Sequence, residues 1–226
     1  MRHVVVALLA LLPGCNALAQ VSAQVNVASD YVFRGVSLTD NRPAAAAEVN
    51  YDSSIGWFAG AQISQTRLYA ESHAEPEFVV DAGYAYTLGS GLTLEAGATY
   101  SIFPNFTFWN YHETFVGLLA QSWNARLYYA PDYFGRGGRT LYVEFNYVHA
   151  LDERFRLLAH LGALRSTPVP VEGHARTLDA SLGIGAKFGN GSIEFKRVAT
   201  DHASYLYPLA AAADRGEWVL SLSYAY

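Results

Sequence analysis

The chain has 226 residues, a net charge of −5, and 15% charged residues against 14% aromatic and 51% hydrophobic ones. So few charges argue against an ordinary soluble domain, while 16 Tyr and 19 Gly favour a strand-rich chain with many turns. No basic block accompanies the acidic balance, which leaves nucleic acid without a docking surface, and the length suits one barrel or sandwich.

Residues 1–19 read as a secretory signal peptide: Arg2 supplies the basic start, Val4 to Leu12 the apolar run, Pro13-Gly14 a break, and Ala17-Leu18-Ala19 the small-residue cleavage site. The apolar run is about half the ~20 residues a spanning helix needs. A second reading stays open, because Leu12-Pro13-Gly14-Cys15 loosely resembles the lipid-attachment box of bacterial lipoproteins. Cleavage after Ala19 removes Cys15 and leaves the mature chain, 20–226, without cysteine. No later stretch approaches the ~18 consecutive apolar residues of a membrane helix, so a membrane location requires strands.

From Ser22 the chain alternates with a period of two. Val25, Val27, Tyr31 and Phe33 oppose Asn26, Asp30 and Arg34; Ala45, Ala47, Val49 and Tyr51 oppose Glu48, Asn50 and Asp52; Trp57, Ala59, Ala61 and Ile63 oppose Gln62 and Ser64. Phe78, Val80, Ala82, Tyr84 and Tyr86 oppose Asp81 and Gly83, and Leu92 to Ile102 repeats the pattern around Glu95, Gly97 and Thr99. Tyr111 to Ala120 is ambiguous, since either face is apolar. Trp123 to Tyr129 opposes Asn124 and Arg126; Leu141 to Tyr147 opposes Glu144 and Asn146; Phe155 to Ala163 opposes Arg156 and His160. Leu178 to Phe188 opposes Asp179, Gly183, Gly185 and Lys187, and Ile193 and Phe195 oppose Glu194 and Lys196. The last run, Glu217 to Tyr226, places Trp218, Leu220, Leu222, Tyr224 and Tyr226 on one face. The twelve runs are mostly about ten residues long, the span of a tilted strand across a bilayer.

The connections alternate in length. Ser53 to Gly56, Gly89 to Gly91, Ser122, Asp152-Glu153 and Gly189 to Gly191 are short; Gly35 to Pro43, Thr66 to Glu75, Pro104 to Asn110, Asp132 to Gly138, Ser166 to Ala175 and Thr200 to Gly216 are long. A soluble barrel has no reason to sort its loops this way, whereas outer-membrane barrels put short turns, and both termini, on the periplasmic side. Alternation alone does not say whether the apolar face points to a core or to lipid. The secretion signal, the loop asymmetry, and aromatics near strand ends (Tyr31, Phe33, Trp57, Tyr100, Trp123, Tyr129, Tyr147, Trp218, Tyr226) favour lipid. The expected fold is therefore a closed antiparallel up-and-down transmembrane β-barrel of twelve strands, in which Glu217 to Tyr226 pairs with the first strand near Ala23 to Phe33. The terminal aromatic, in phase with the apolar face, resembles the signal read by the barrel-assembly machinery of Gram-negative bacteria.

Two blocks, Ser29-Asp30-Tyr31-Val32-Phe33-Arg34-Gly35-Val36-Ser37-Leu38-Thr39-Asp40-Asn41-Arg42-Pro43-Ala44 and Tyr129-Ala130-Pro131-Asp132-Tyr133-Phe134-Gly135, resemble those of the TorF-type family of proteobacterial outer-membrane porins. The resemblance implies a small porin barrel in the outer membrane and no particular substrate. Read physically, Asp30 and Arg34 fall on one strand face and are expected to pair. Gly35 permits a sharp exit, and Thr39-Asp40-Asn41 with Pro43 supply turn chemistry.

The lumen-facing charges on this assignment are Asp30, Glu48, Asp52, Asp81, Glu95, Glu113, Glu144, Asp179 and Glu194 against Arg34, Arg126, Arg156, Lys187 and Lys196. The carboxylate excess predicts a mild preference for cations that weakens at high ionic strength. Catalytic chemistry is not expected: His149 and His160 sit on strands without a clear serine partner, and His73, His112, His174 and His202 lack metal-ligand spacing. Glu48 and Asp52 on one face suit lumen charge better than acid–base work. No cofactor or metal is expected. The expected function is passive diffusion of small polar solutes or ions through a narrow charged lumen, with a structural or partner-binding barrel of plugged lumen as the alternative.

Overall fold

The computed structural model describes residues 20–68, 73–167, 174–202, 206–208 and 216–226; the signal peptide, the Cys15 box and the middle of the last long loop lie outside them. The strands are β1 (Gln20–Ala28), the two-residue β2 (Val32–Phe33) and β3 (Val36–Ser37), β4 (Ala44–Asp52), β5 (Trp57–Thr66), β6 (Glu75–Thr87) and β7 (Thr93–Ile102). They continue as β8 (Tyr111–Leu119), β9 (Trp123–Ala130), β10 (Arg139–Ala150), β11 (Phe155–Thr167), β12 (Arg176–Phe188), β13 (Gly191–Thr200) and β14 (Glu217–Ala225). Twelve of them close a barrel in which each strand pairs with its chain neighbour, β2 and β3 forming a separate hairpin. The seam joins β1 to β14, antiparallel, from Gln24 opposite Ala225 to Ala28 opposite Ser221. Closure leaves the barrel sheet itself without an edge, a requirement in lipid.

The apolar face points out. Val25, Trp57, Val80, Tyr100, Leu127, Leu141, Leu182, Leu222 and Tyr224 are all exposed, Leu182 by 66%, and the terminal ring of Tyr226 by 93%. Over twelve strands, this many bare apolar side chains in phase form a band that only lipid satisfies. Trp57 packs edge-on against Tyr84, and Phe195 stacks on Trp218, both on this outer face. The ambiguous β8 turns Tyr111, Glu113 and Phe115 inward.

Inside, glycines clear room where side chains from the flanking strands meet. Gly117 lies in register between Glu95 and Arg126, and Gly185 between Arg156 and Glu194. A Cβ on Gly117 would strike the Glu95 carboxylate and the Arg126 stem. The same device spans two strands in the row Phe58, Gly83, Gly97, Phe115, where the outer rings approach to 6.3 Å.

The first strand departs from expectation. Its alternation holds only to Ala28, and the next fifteen residues, 29–43, turn into the lumen. Phe33 is therefore buried at 2% exposure instead of facing lipid, and Tyr31 packs against the interior cluster. The cause is local. Arg34 and Gly35 both take positive φ, 49° and 78°, which folds Val32 to Ser37 into a tight two-residue hairpin.

Candidate functional site

Segment 29–43 sits in the barrel mouth on the long-loop side. Its exit and return are built from hydrogen bonds: the Ser37 and Thr39 hydroxyls both donate to Asp30 Oδ1 at 2.6 Å. Leu38 N–H donates to Tyr31 C=O at 2.7 Å, and Arg67 N–H to Leu38 C=O at 2.6 Å. Asp40 and Asn41, both at φ 56°, make the return turn that the Asp-Asn pair suggests.

The expected Asp30–Arg34 pair does not form, because the hairpin turn carries Arg34 away across the lumen. Its guanidinium donates to both oxygens of Glu113, at 3.0 and 2.9 Å, and to the Tyr133 hydroxyl at 3.2 Å. It also lies 4.1 Å from the ring centroid of Tyr142 and 5.1 Å from that of Tyr128. Phe33, Val36, Leu38, Phe103, Trp109, Tyr111, Tyr133, Phe134, Leu206 and Tyr207 pack around this pair in a continuous buried cluster. A charge held this deep is tolerable only with its partner in place.

Two further ion pairs lie along the wall. Arg126 binds both oxygens of Glu95, and Arg156 donates to Glu194 at 2.9 Å, where Lys196 adds a contact at 3.2 Å. These pairs cancel most of the fixed positive charge.

Next to segment 29–43 lies a cavity of about 240 Å³. Asp30, Arg34, Glu48, Glu144, Asp179 and Glu194 line it, with Gln24, Asn26, Gln62, Ser64, Asn146, His160, Ser181, Lys196 and Ser221. Of the lumen charges assigned from sequence, these first six and Lys196 come together. Asp81 lies on the wall over Gly60, Asp52 and Lys187 stand toward the short-turn end, and Glu95, Arg126 and Arg156 are spent in wall pairs. Tyr128 and Tyr142 also line the cavity, and both occupy the polar-face phase of their strands, a signal that the aromatic character of the residues masks. Glu77, wholly buried and accepting the Ser64 hydroxyl at 3.2 Å, was not anticipated as a site residue; it also sits in polar-face phase, on β6.

His160 faces Asn146 Oδ1 and Asp179 Oδ1, each at 2.7 Å, and the Tyr142 hydroxyl at 3.2 Å. Ser181 is its register partner on β12, a serine neighbour that the strand pattern alone did not reveal. Both ring nitrogens are nevertheless directed at other groups, so neither is aimed at the serine.

A closed twelve-stranded barrel with an apolar outside, a polar, charge-paired inside and loops sorted by length is the architecture of outer-membrane porins. Among solved structures the chain is similar to the KdgM porin, with a TM-score of 0.57 and 12% identity over 91% of this chain and 99% of that one. The NanC porin gives the same TM-score and the same coverages at 10% identity. No curated protein matches the sequence. Residues 14–223 match the model of a family described as "Bacterial protein of unknown function (Gcw_chp)", and the chain belongs to that family.

Proposed function

We propose that this chain is an outer-membrane channel for small polar solutes, preferring cations, with its long-loop side narrowed by segment 29–43. The observation that carries the reading is the polar cavity beside that segment, where Asp30, Glu48, Glu144, Asp179 and Glu194 outnumber Arg34 and Lys196. Because Arg34, Arg126 and Arg156 are each tied to a carboxylate, little positive charge is left to oppose an entering cation. The long loops face the cell exterior on this reading and both termini the periplasm. The terminal strand serves recognition by the assembly machinery, and the TorF-type resemblance gives the finer family. The lumen performs no chemical step and holds no cofactor.

A second reading, a barrel plugged at rest, is supported by the Arg34–Glu113 pair inside its aromatic cluster. Planar-bilayer recording separates the two. Cation-selective steps from the native protein support the open channel. A silent native protein whose Glu113→Gln variant conducts supports the plug, and silence from both, with folded protein confirmed by heat-modifiable gel mobility, rejects the channel.

A further inference from the structure

Segment 29–43 carries Asp30 near its start and Asn41 near its end, and both residues meet Glu217, the first residue of β14. Asp30 is 5% exposed; its Oδ1 takes the Ser37 and Thr39 hydroxyls, while Oδ2 is buried and has no hydrogen-bond partner among the described residues. The Glu217 carboxyl group lies within hydrogen-bonding reach of Asp30. The Asn41 carboxamide rests against both Glu217 oxygens.

Two carboxylates at this separation do not both stay ionised without positive charge between them. Nearby cations are poorly placed to supply it. Arg197 acts on Glu217 from the outer face, where its guanidinium lies 5.4 Å from the Trp218 ring centroid. Arg42 is engaged by Asp40 at 3.4 Å.

We propose that Asp30, Glu217 and Asn41 form a binding site for a divalent cation of the calcium type, entering from the long-loop side. The donors are all oxygens, the set that hard cations take, and neither thiolate nor imidazole is present to favour zinc or copper. Two carboxylates balance the double charge, the Asn41 amide oxygen adds a neutral ligand, and water completes the shell. With so few protein ligands the affinity belongs to the extracellular range, Kd of about 10⁻⁴–10⁻³ M. The bound ion ties both ends of the lumen segment to the strand that closes the barrel. Without it, Asn41 turns its nitrogen to Glu217 and Asp30 Oδ2 is left bare.

The test is terbium titration of the full barrel refolded in detergent at neutral pH, with excitation of Trp218 beside the site. The expected result is saturable sensitised emission, displaced by calcium and weakened at least tenfold in Glu217→Gln and in Asn41→Ala, while Asp152→Ala in a distant turn leaves it unchanged. Asp30→Asn is a third variant; because its side chain also holds the segment, the two surface variants keep the test decisive if it fails to fold. Equal emission from wild type and Glu217→Gln overturns the site. So does an absence of saturable emission together with thermal stability that follows pH and ignores calcium, since a shared proton then holds the pair.

Discussion

Arg34 and Glu113 are joined by two hydrogen bonds, 3.0 and 2.9 Å long, across 79 residues of sequence and at 7% and 1% exposure. One residue belongs to the inward-folded segment and the other to the wall, so this contact fastens the segment to the barrel. Removing one partner strands a buried charge, at a cost of about 3–5 kcal/mol. Glu113→Ala and Arg34→Ala are each expected to lower unfolding free energy by that order and to raise bilayer conductance. The double variant is expected to be more stable than the sum of the single losses, and urea titration in lipid vesicles measures this coupling.

The partner of Arg34 was not legible in the sequence, and the reason is physical. Alternation states which face a residue occupies on a strand that continues; it does not state where the strand stops. Asp30 and Arg34 both reach the lumen as the spacing requires, but the turn at Arg34-Gly35 breaks the phase between them, and Phe33 is carried inward with it. Glu113 sat on β8, whose two faces are both apolar enough to be read either way. By contrast, the turns were readable. Ser53 to Gly56 fills the gap between β4 and β5, because Gly and Ser end a strand for local reasons. The apolar phase of the strands was likewise readable, but only the closed barrel shows that it points outward.

The glycine between two paired side chains provides a steric test. A Cβ on Gly117 meets Glu95 Oε1 at 2.5 Å and Arg126 Cγ at 3.0 Å, whereas a Cβ on Gly89, in a short turn, meets nothing within 4 Å. Gly117→Val is expected to cost about 1–3 kcal/mol through overpacking, and Gly89→Ala to stay within about 0.5 kcal/mol of wild type, by equilibrium unfolding in lipid.

Leu182, 66% exposed at the middle of β12, tests the lipid-facing band. Leu182→Arg is expected to destabilise the barrel by about 2–4 kcal/mol in a bilayer, as a charge at mid-depth does. Leu151→Arg, in the short turn after β10, is expected to change little. Equal, small effects at both positions would show that the outer face is wet.

In the turn between β10 and β11, Asp152 Oδ1 accepts the N–H groups of Phe155 at 2.6 Å and Arg154 at 2.7 Å. These bonds, the Phe155 one foremost, hold the Asp152 carboxyl below its ordinary value. A carboxylate depressed in the folded state stabilises it fully above the unfolded value, near ~3.9, and loses that contribution as pH falls through the depressed one. Asp152→Ala is therefore expected to unfold more readily than wild type at pH 7, with the difference closing in strong acid. Paired unfolding curves across that range check it.

Ion selectivity follows from the carboxylates that line the cavity. Glu113, Glu95 and Glu194 are engaged by Arg34, Arg126 and Arg156, while Glu144 accepts the Tyr128 hydroxyl at 3.3 Å and Glu48 the Asn50 amide at 3.2 Å. Glu48 and Glu144 both line the cavity, so their field acts on whatever enters it. Reversal potentials under a roughly tenfold KCl gradient are expected to show cation preference in dilute salt, reduced in Glu48→Gln and further in Glu48→Gln/Glu144→Gln. Screening sets the salt dependence: the Debye length falls from about 10 Å at 0.1 M to about 3 Å at 1 M, so the preference is expected to shrink between those concentrations. An anion preference, or a cation preference untouched by both substitutions, would place the selectivity elsewhere than in these carboxylates.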